Sequence, residues 1–415
     1  MIYFHVPNEV VQTKAKTTGI DQTTIKIEWN HTFGGIYADY GFSLIQTSDN
    51  GIALAGTLTS DFCLIKIDAH DEQEWNTTYG GVSWDYARSL IQSSDGGYVL
   101  AGLTHSYGSG LDDMWLIKTN ATGQQEWNTI FGGISNDYAY SVIQTSDGGF
   151  ALAGKTESYG AGLYDMWLVK TNANGQQEWN ATFGGINDDE AYTVIQTSDG
   201  GFLLAGSTAS YGNGGFDMWL VKTNGNGIPE WNTTFGGVND DRIKSLIRTT
   251  NSDFVLAGYT LSYGAGSSDM WLVKTNENGI PEWNTTFGGI SNDYAISVIQ
   301  TSDGGFALAG ETESYGAGLY DMWLVKTNAS GQCEWNTTFG GTGWDRALCV
   351  IQVSDRGLVL AGSTASYGAG SSDIWLVKTV PFNMKPTLFW TPSITFLALL
   401  VLLVKKRRTK RPSQF

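Results

Sequence analysis

Residues 126–177 read EWNTIFGGISNDYAYSVIQTSDGGFALAGKTESYGAGLYDMWLVKTNANGQQ, and this stretch decides the fold. Its opening Glu-Trp-Asn returns along the chain, with tryptophans at Trp29, Trp75, Trp127, Trp179, Trp231, Trp283 and Trp335. The first interval is 46 residues and the next five are 52. A period of that size marks a repeat architecture in which each copy is one supersecondary unit. Glycine-bounded runs predict four strands per copy, here A (Tyr140–Gln144), B (Phe150–Thr156), C (Asp165–Thr171) and D (Glu178–Phe183). Ser-Asp-Gly-Gly joins A to B and Asn-Ala-Asn-Gly joins C to D, both read as hairpin turns of type I′.

A four-stranded meander repeated seven times cannot bury both of its faces alone. Radial packing of blade on blade buries them and limits exposed sheet edges. A solenoid competes, but neither end carries a capping repeat. The chain begins the array with a lone D strand (Ile25–Phe33) and leaves it after a C strand (Asp373–Thr379), so the first strand can complete the last blade. The expected fold is all-β: a closed seven-bladed β-propeller of four-stranded antiparallel blades over residues 25–379, plus one C-terminal transmembrane helix.

Four segments carry a further implication: Trp-Asn-Thr-Thr-Phe-Gly-Gly, Val-Ile-Gln-Thr-Ser-Asp-Gly-Gly-Phe, Leu-Ala-Gly and Asp-Met-Trp-Leu-Val-Lys-Thr. Together they resemble the uncharacterised propeller-repeat surface proteins of archaea and some bacteria, over about residues 28–379. The resemblance implies a secreted or surface propeller and brings no catalytic residues with it. Some members carry an endoglucanase label. Quinoprotein dehydrogenases also have periodic tryptophans, but their period, blade count and turn sequences differ.

Composition agrees with many short strands: 53 glycines, 7 prolines and 13% aromatic residues. Acids outnumber bases 41 to 24, and six of the bases (Lys405, Lys406, Arg407, Arg408, Lys410, Arg411) crowd the C-terminus. Residues 1–386 therefore hold 18 bases against 41 acids, a formal charge of −23. Such a body repels phosphate backbones, so neither nucleic acid nor nucleotide is an expected partner, and cationic partners fit better. Cys63, Cys333 and Cys349 do not recur with the repeat and form neither a disulfide framework nor zinc spacing.

Residues 387–404 (TLFWTPSITFLALLVLLV) are 18 uncharged positions, about 27 Å as a helix and enough for a short bilayer crossing. The basic tail, 405–415, then belongs in the cytoplasm and the propeller outside, with 380–386 as linker. The expected location is the cell membrane, crossed once. Residues 1–24 lack the apolar run of a signal peptide. An upstream segment is therefore expected; tail-first insertion would instead leave the propeller in the cytoplasm. Asn30, Asn76, Asn180, Asn232, Asn284 and Asn336 begin Asn-x-Thr at one repeat position, and Asn120 and Asn328 add two further glycosylation candidates.

Two aspartates recur in every copy. Asp39, Asp85, Asp137, Asp189, Asp241, Asp293 and Asp345 precede strand A; Asp61, Asp113, Asp165, Asp217, Asp269, Asp321 and Asp373 open strand C. Strand alternation puts both sets on the end of the ring with the longer loops. As ligands they would form an acidic rim, with calcium as the one cofactor considered (Asp137, Asp189, Asp241, Asp293). As structural groups they would cap their own turns. Lysines such as Lys118 flank the C–D hairpin with glutamates such as Glu126 and read as cross-strand ion pairs.

A specific site should break the symmetry. The first copy lacks the Ser-Tyr-Gly-x-Gly loop, which predicts a notch over blade 1, and Trp84 and Trp344 lead into its two neighbours. With Asp39, Asp85 and Asp345 nearby, this aromatic pair is the expected ligand-binding site for a glycan or protein. The leading expectation is an extracellular, membrane-anchored binding module. A polysaccharide-active glycoside hydrolase using paired carboxylates, or a purely structural envelope component, are the alternatives.

Overall fold

The computed structural model describes residues 25–381. The N-terminal segment 1–24, the transmembrane helix expected at 387–404, the basic tail and most of the linker lie outside the described residues. Within them, 28 strands form seven four-stranded antiparallel sheets. In blade 3 the strands are A (Asp137–Gln144), B (Phe150–Thr156), C (Asp165–Thr171) and D (Gln177–Phe183). The A strands of successive blades lie against one another around the axis, which makes A innermost and D outermost.

Ring closure is as the sequence predicts. Ile27–Phe33 pairs with Asp373–Thr379 and supplies the outer strand of blade 7, with Asn30 opposite Val377 and His31 opposite Leu376. A shared core then joins blade 7 to blade 1. Leu44, Leu54 and Ile65 pack with Val359, Ala361 and Ile374, and Trp29 and Phe33 pack against them.

Strands B and C are buried along nearly their whole length because a blade lies on each side, and so they read as continuous apolar runs. Between blades 2 and 3, Val99, Ala101, Met114 and Leu116 meet Ala139, Val142, Phe150, Leu152 and Trp167. Truncating one such fully buried leucine to alanine costs about 2–5 kcal/mol. Gln side chains at the ends of the A strands add circumferential links: Gln144 Oε1 accepts from Ser94 N at 2.9 Å, and Gln196 Oε1 from Ser146 N at 2.9 Å.

Two local expectations need correction. The A strand of blade 3 starts three residues earlier than predicted, because a β-bulge at Tyr140 shifts the register between Ala139 and Ser141 and breaks the alternation. The same bulge explains the glycine of Leu-Ala-Gly, since a Cβ on Gly154 would lie 1.7 Å from the Tyr138 carbonyl oxygen. The A–B and C–D turns are also not type I′. Only the glycine after the turn, Gly148 or Gly175, has positive φ, and Gly148 N donates to Thr145 O. That is a type I turn followed by a left-handed residue. The two-residue I′ geometry occurs at the truncated B–C loop of blade 1, where Thr59 and Ser60 both have positive φ (52° and 79°).

Candidate functional site

The bulge recurs in all seven A strands, and the extra residue is Phe42, Arg88, Tyr140, Tyr192, Lys244, Ile296 or Leu348 in blades 1 to 7. A bulge re-aims the side chain it inserts. Here the inserted side chains meet those of other blades. Arg88 lies 4.0 Å above the Phe42 ring, Tyr140 and Tyr192 stack at 5.1 Å, and Lys244 lies 3.8 Å above Tyr192. An apolar arc (Ile296, Leu348, Phe42) and a polar arc (Arg88, Tyr140, Tyr192, Lys244) thus share the innermost layer.

Charge gathers on this layer and the one beside it toward the long loops. Glu190 accepts from Lys155 at 2.8 Å and from the Tyr192 hydroxyl, and Arg242 approaches it at 3.8 Å. Burial works against the Glu190 carboxylate, but Lys155 and Tyr192 hold its pKa below the usual range. Arg346 pairs with Glu311 at 2.7 Å; burial raises the Glu311 pKa, opposed by Arg346. Lys244 is pushed down to about 8 by burial, against the pull of Glu190 and with help from Arg242, Lys155 and Arg88. Arg88 belongs to blade 2 and Lys244 to blade 5, so that last influence acts across the axis. At the opposite end of the channel a 610 Å³ opening is bordered by Gln46, Gln300 and Gln352, and blade 5 has the exposed Arg248 at the glutamine position.

Trp84 is 47% exposed and stacks on Tyr86 at 6.2 Å with 10° between the ring planes. Both line a pocket of about 460 Å³ with Arg88, Leu103, His105, Asp112 and Tyr138. His105 Nδ1 lies 3.1 Å from Asp112 Oδ1, and Asp112 accepts from the Tyr138 hydroxyl at 3.0 Å. Leu103, His105 and Asp112 stand at positions where the other six copies have different residues. Trp344 is 46% exposed but meets Tyr320 of blade 6 at 5.6 Å and the Arg346 guanidinium at 4.7 Å. The two rings thus attend different neighbours, Trp84 chiefly residues of its own blade with Tyr138 of blade 3, and Trp344 Tyr320 of blade 6, while Asp85 N beside Trp84 donates to Ser60 O of the truncated blade 1 loop at 2.7 Å.

The expectation for the aspartates is corrected. Asp39, Asp85 and Asp345 are 0% exposed, as are Asp137, Asp189, Asp241 and Asp293. Asp85 accepts from Thr104 and Ser106 hydroxyls and from Gly81 N, while Asp39 accepts from Gly35 N and Thr59 N. Asp345 is held in the same way by Thr364, Ser366 and Gly341. Their carboxylates stabilise the D–A and B–C loops and present nothing to a ligand. Six of the second set are equally enclosed, and Asp61, beside the truncated loop of blade 1, is half-buried. Asp113 accepts from Ser109 N and Gly110 N, and a Cβ on Gly132 would lie 1.8 Å from its Oδ1 and 2.9 Å from Asp137 Oδ2. The carboxylates that the fold does pair are therefore buried under a glycine. Among the described residues no group of three or more His, Cys, Asp or Glu is arranged to hold a metal.

The sequon asparagines have structural partners. Trp167, Trp219, Trp271, Trp323 and Trp375 donate their indole N–H to Oδ1 of Asn180, Asn232, Asn284, Asn336 and Asn30 at 3.1–3.3 Å. Asn128, which begins no sequon, receives the same bond from Trp115. In blade 1, the blade of Asn76, Cys63 stands at the position of the donor tryptophan. Asn120 and Asn328 cap the backbone of their own C–D turns. Lys118 bridges Glu126 at 2.8 Å, as expected, and also Asp95 of the A–B turn at 2.9 Å.

The inner ring is the feature that sequence reasoning missed. Its signal was present: the third residue after each pre-A aspartate reads Phe, Arg, Tyr, Tyr, Lys, Ile, Leu, a position where the copies diverge while their neighbours repeat.

No family model matches the chain. A 174-residue stretch is 25% identical to the regulatory protein FlaEY of Caulobacter vibrioides, covering 36% of this chain and 18% of that protein. The match thus spans less than a fifth of that relative's length. Among solved structures, the chain is similar to Drosophila plexin A in complex with semaphorin 1b (TM-score 0.51, 10% identity, 88% of each chain covered). It is also similar to Drosophila semaphorin 1b, extracellular domains 1–2 (TM-score 0.50, 10% identity, 87% of this chain and 88% of that one). At such identities these likenesses show the propeller fold alone.

Proposed function

We propose that the chain is a membrane-tethered binding module that presents its propeller outside the cell and takes a saccharide at the long-loop mouth of its channel, over Trp84. The observation that carries the reading is the Trp84–Tyr86 stack in a pocket that also holds Leu103, His105 and Asp112, residues found at their positions in no other copy. An exposed flat indole gives a sugar ring an apolar surface to stack on, and the adjoining His105–Asp112 pair offers hydrogen bonds to hydroxyls. The apolar run 387–404 followed by a basic tail supports the tether and its orientation. Binding of the full chain to a glycan array, with and without Trp84→Ala, tests the site. Loss of the saccharide signal in Trp84→Ala, at an unchanged melting temperature, is expected. Equal binding by both proteins rejects it.

A further inference from the structure

Most bases of the propeller have evident partners. The seven repeat lysines clamp C–D and A–B turns through carboxylates, and Lys155, Arg242 and Arg346 pair with Glu190 and Glu311. Arg88 and Lys244 differ. Among the described residues neither is in an ion pair, and Arg88 Nε is buried without a hydrogen-bond partner. Their company is aromatic: Phe42 and Tyr86 around Arg88, Tyr192 beneath Lys244. Both are half-buried, and Lys244 has only the pull of Glu190, which already pairs with Lys155; a cation so placed is incompletely compensated, and ring faces offset only part of that. Such a group fits a site completed by a ligand.

Resting on the saccharide reading of the Trp84 pocket, we infer that Arg88 forms a carboxylate seat at the inner end of that pocket, with Lys244 adding positive charge from the far side of the channel, so that the preferred ligand is an acidic saccharide bearing a uronic acid. Arg88 lines the same pocket as Trp84, which lets one ligand stack on the indole and reach the guanidinium. The guanidinium fork matches a carboxylate in two-pronged geometry, and Lys244 adds a second positive charge from across the axis. The exterior of this acidic propeller repels a polyanion, so a single carboxylate on an otherwise neutral sugar fits better than a nucleic acid or a densely charged polymer. An acidic peptide would satisfy the cations but leave the indole platform without its sugar face. The sequence-level expectation of cationic partners is thereby reversed at this one place.

The test is calorimetric titration of the full chain with a trisaccharide ending in glucuronic acid, its methyl ester and a glutamate-containing peptide. The wild type should bind the acid at least about tenfold more tightly than the ester, a difference of about 1.4 kcal/mol. Arg88→Gln should erase that preference while keeping the weaker binding of the ester. Lys244→Met should reduce it, and both variants should melt no lower than the wild type. Equal binding of acid and ester by the wild type overturns the inference, as does a preference that survives Arg88→Gln. A peptide bound more tightly than the acid, or a lower melting temperature for Arg88→Gln, also overturns it. Failure of the saccharide reading is separate: Trp84→Ala would then leave the binding of acid and ester unchanged.

Discussion

The Arg88 guanidinium carbon lies 4.0 Å above the centre of the Phe42 ring, joining blade 2 to blade 1 inside the channel, and among the described residues no carboxylate forms an ion pair with it, although Asp112 lines the same pocket. Burial lowers the Arg88 pKa, with the tyrosines around it acting in the other direction. The ring contact contributes about 0.5–2 kcal/mol. Removing the charge of this half-buried guanidinium relieves its desolvation, which outweighs the lost ring contact where no ion pair is broken. Arg88→Met is therefore expected to raise stability by about 1 kcal/mol, read from the denaturation midpoint. A loss of about the same size would mean that the cation serves the fold.

Lys244 should make binding of an acidic ligand pH-dependent. It faces Glu190, Tyr192, Arg242, Lys155 and Arg88, and its pKa of about 8 lies below that of an ordinary lysine. The ammonium is charged below that value and lost above it. Affinity for the glucuronate probe should fall about three- to tenfold between roughly pH 7 and pH 9.5. Lys244→Met should flatten the profile. A wild-type profile already flat over this range would remove Lys244 from the site.

Stability should peak in mild acid. Burial works against the Asp49, Asp95 and Asp147 carboxylates, but hydrogen bonds from their lysines and turns hold them at about 2. The stability they contribute is complete above the unfolded value of about 3.9 and lost as pH falls toward about 2. Asp217 acts oppositely. Burial lifts it to about 6, with Asp241 and Asp240 adding to the rise and Asn213 N opposing it. The folded chain then keeps a proton that the unfolded chain releases, and stability declines as pH climbs from about 4 to 6. Urea midpoints from about pH 2 to 8 should show a maximum near pH 4–5, and Asp217→Asn should reduce the decline on its neutral side.

Thr59 is a β-branched residue in the left-handed region, held there by its N–H donating to Asp39 Oδ1 at 2.7 Å. Replacing Thr59-Ser60 by Asn-Gly suits the type I′ turn and should stabilise by about 0.5–1 kcal/mol, measured by thermal unfolding. A decrease would show that the Thr59 side chain supports the loop.

The tryptophan spacing made the fold legible because one strong marker per blade survives in all seven copies, and the lone strand at the start made ring closure legible too. The start of strand A was not, since the extra residue at Tyr140 reverses the in–out alternation partway along. Trp84 stood out by breaking the repeat, yet its partners did not, because Leu103 and His105 come from strand B and the loop after it and meet Trp84 only through pairing. Arg88 and Lys244 were hidden for another reason. A net acidic composition says nothing about where its few unpaired bases stand, and only the bulge turns these two into the innermost layer.

The most direct test of the account is a crystal structure of the full chain with the glucuronate-terminated trisaccharide. A sugar ring stacked on Trp84 with its carboxylate within hydrogen-bond distance of Arg88 is predicted. A saccharide bound at the opposite end among Gln46, Gln300 and Gln352, or on the outer strands with Trp84 and Arg88 untouched, would contradict it.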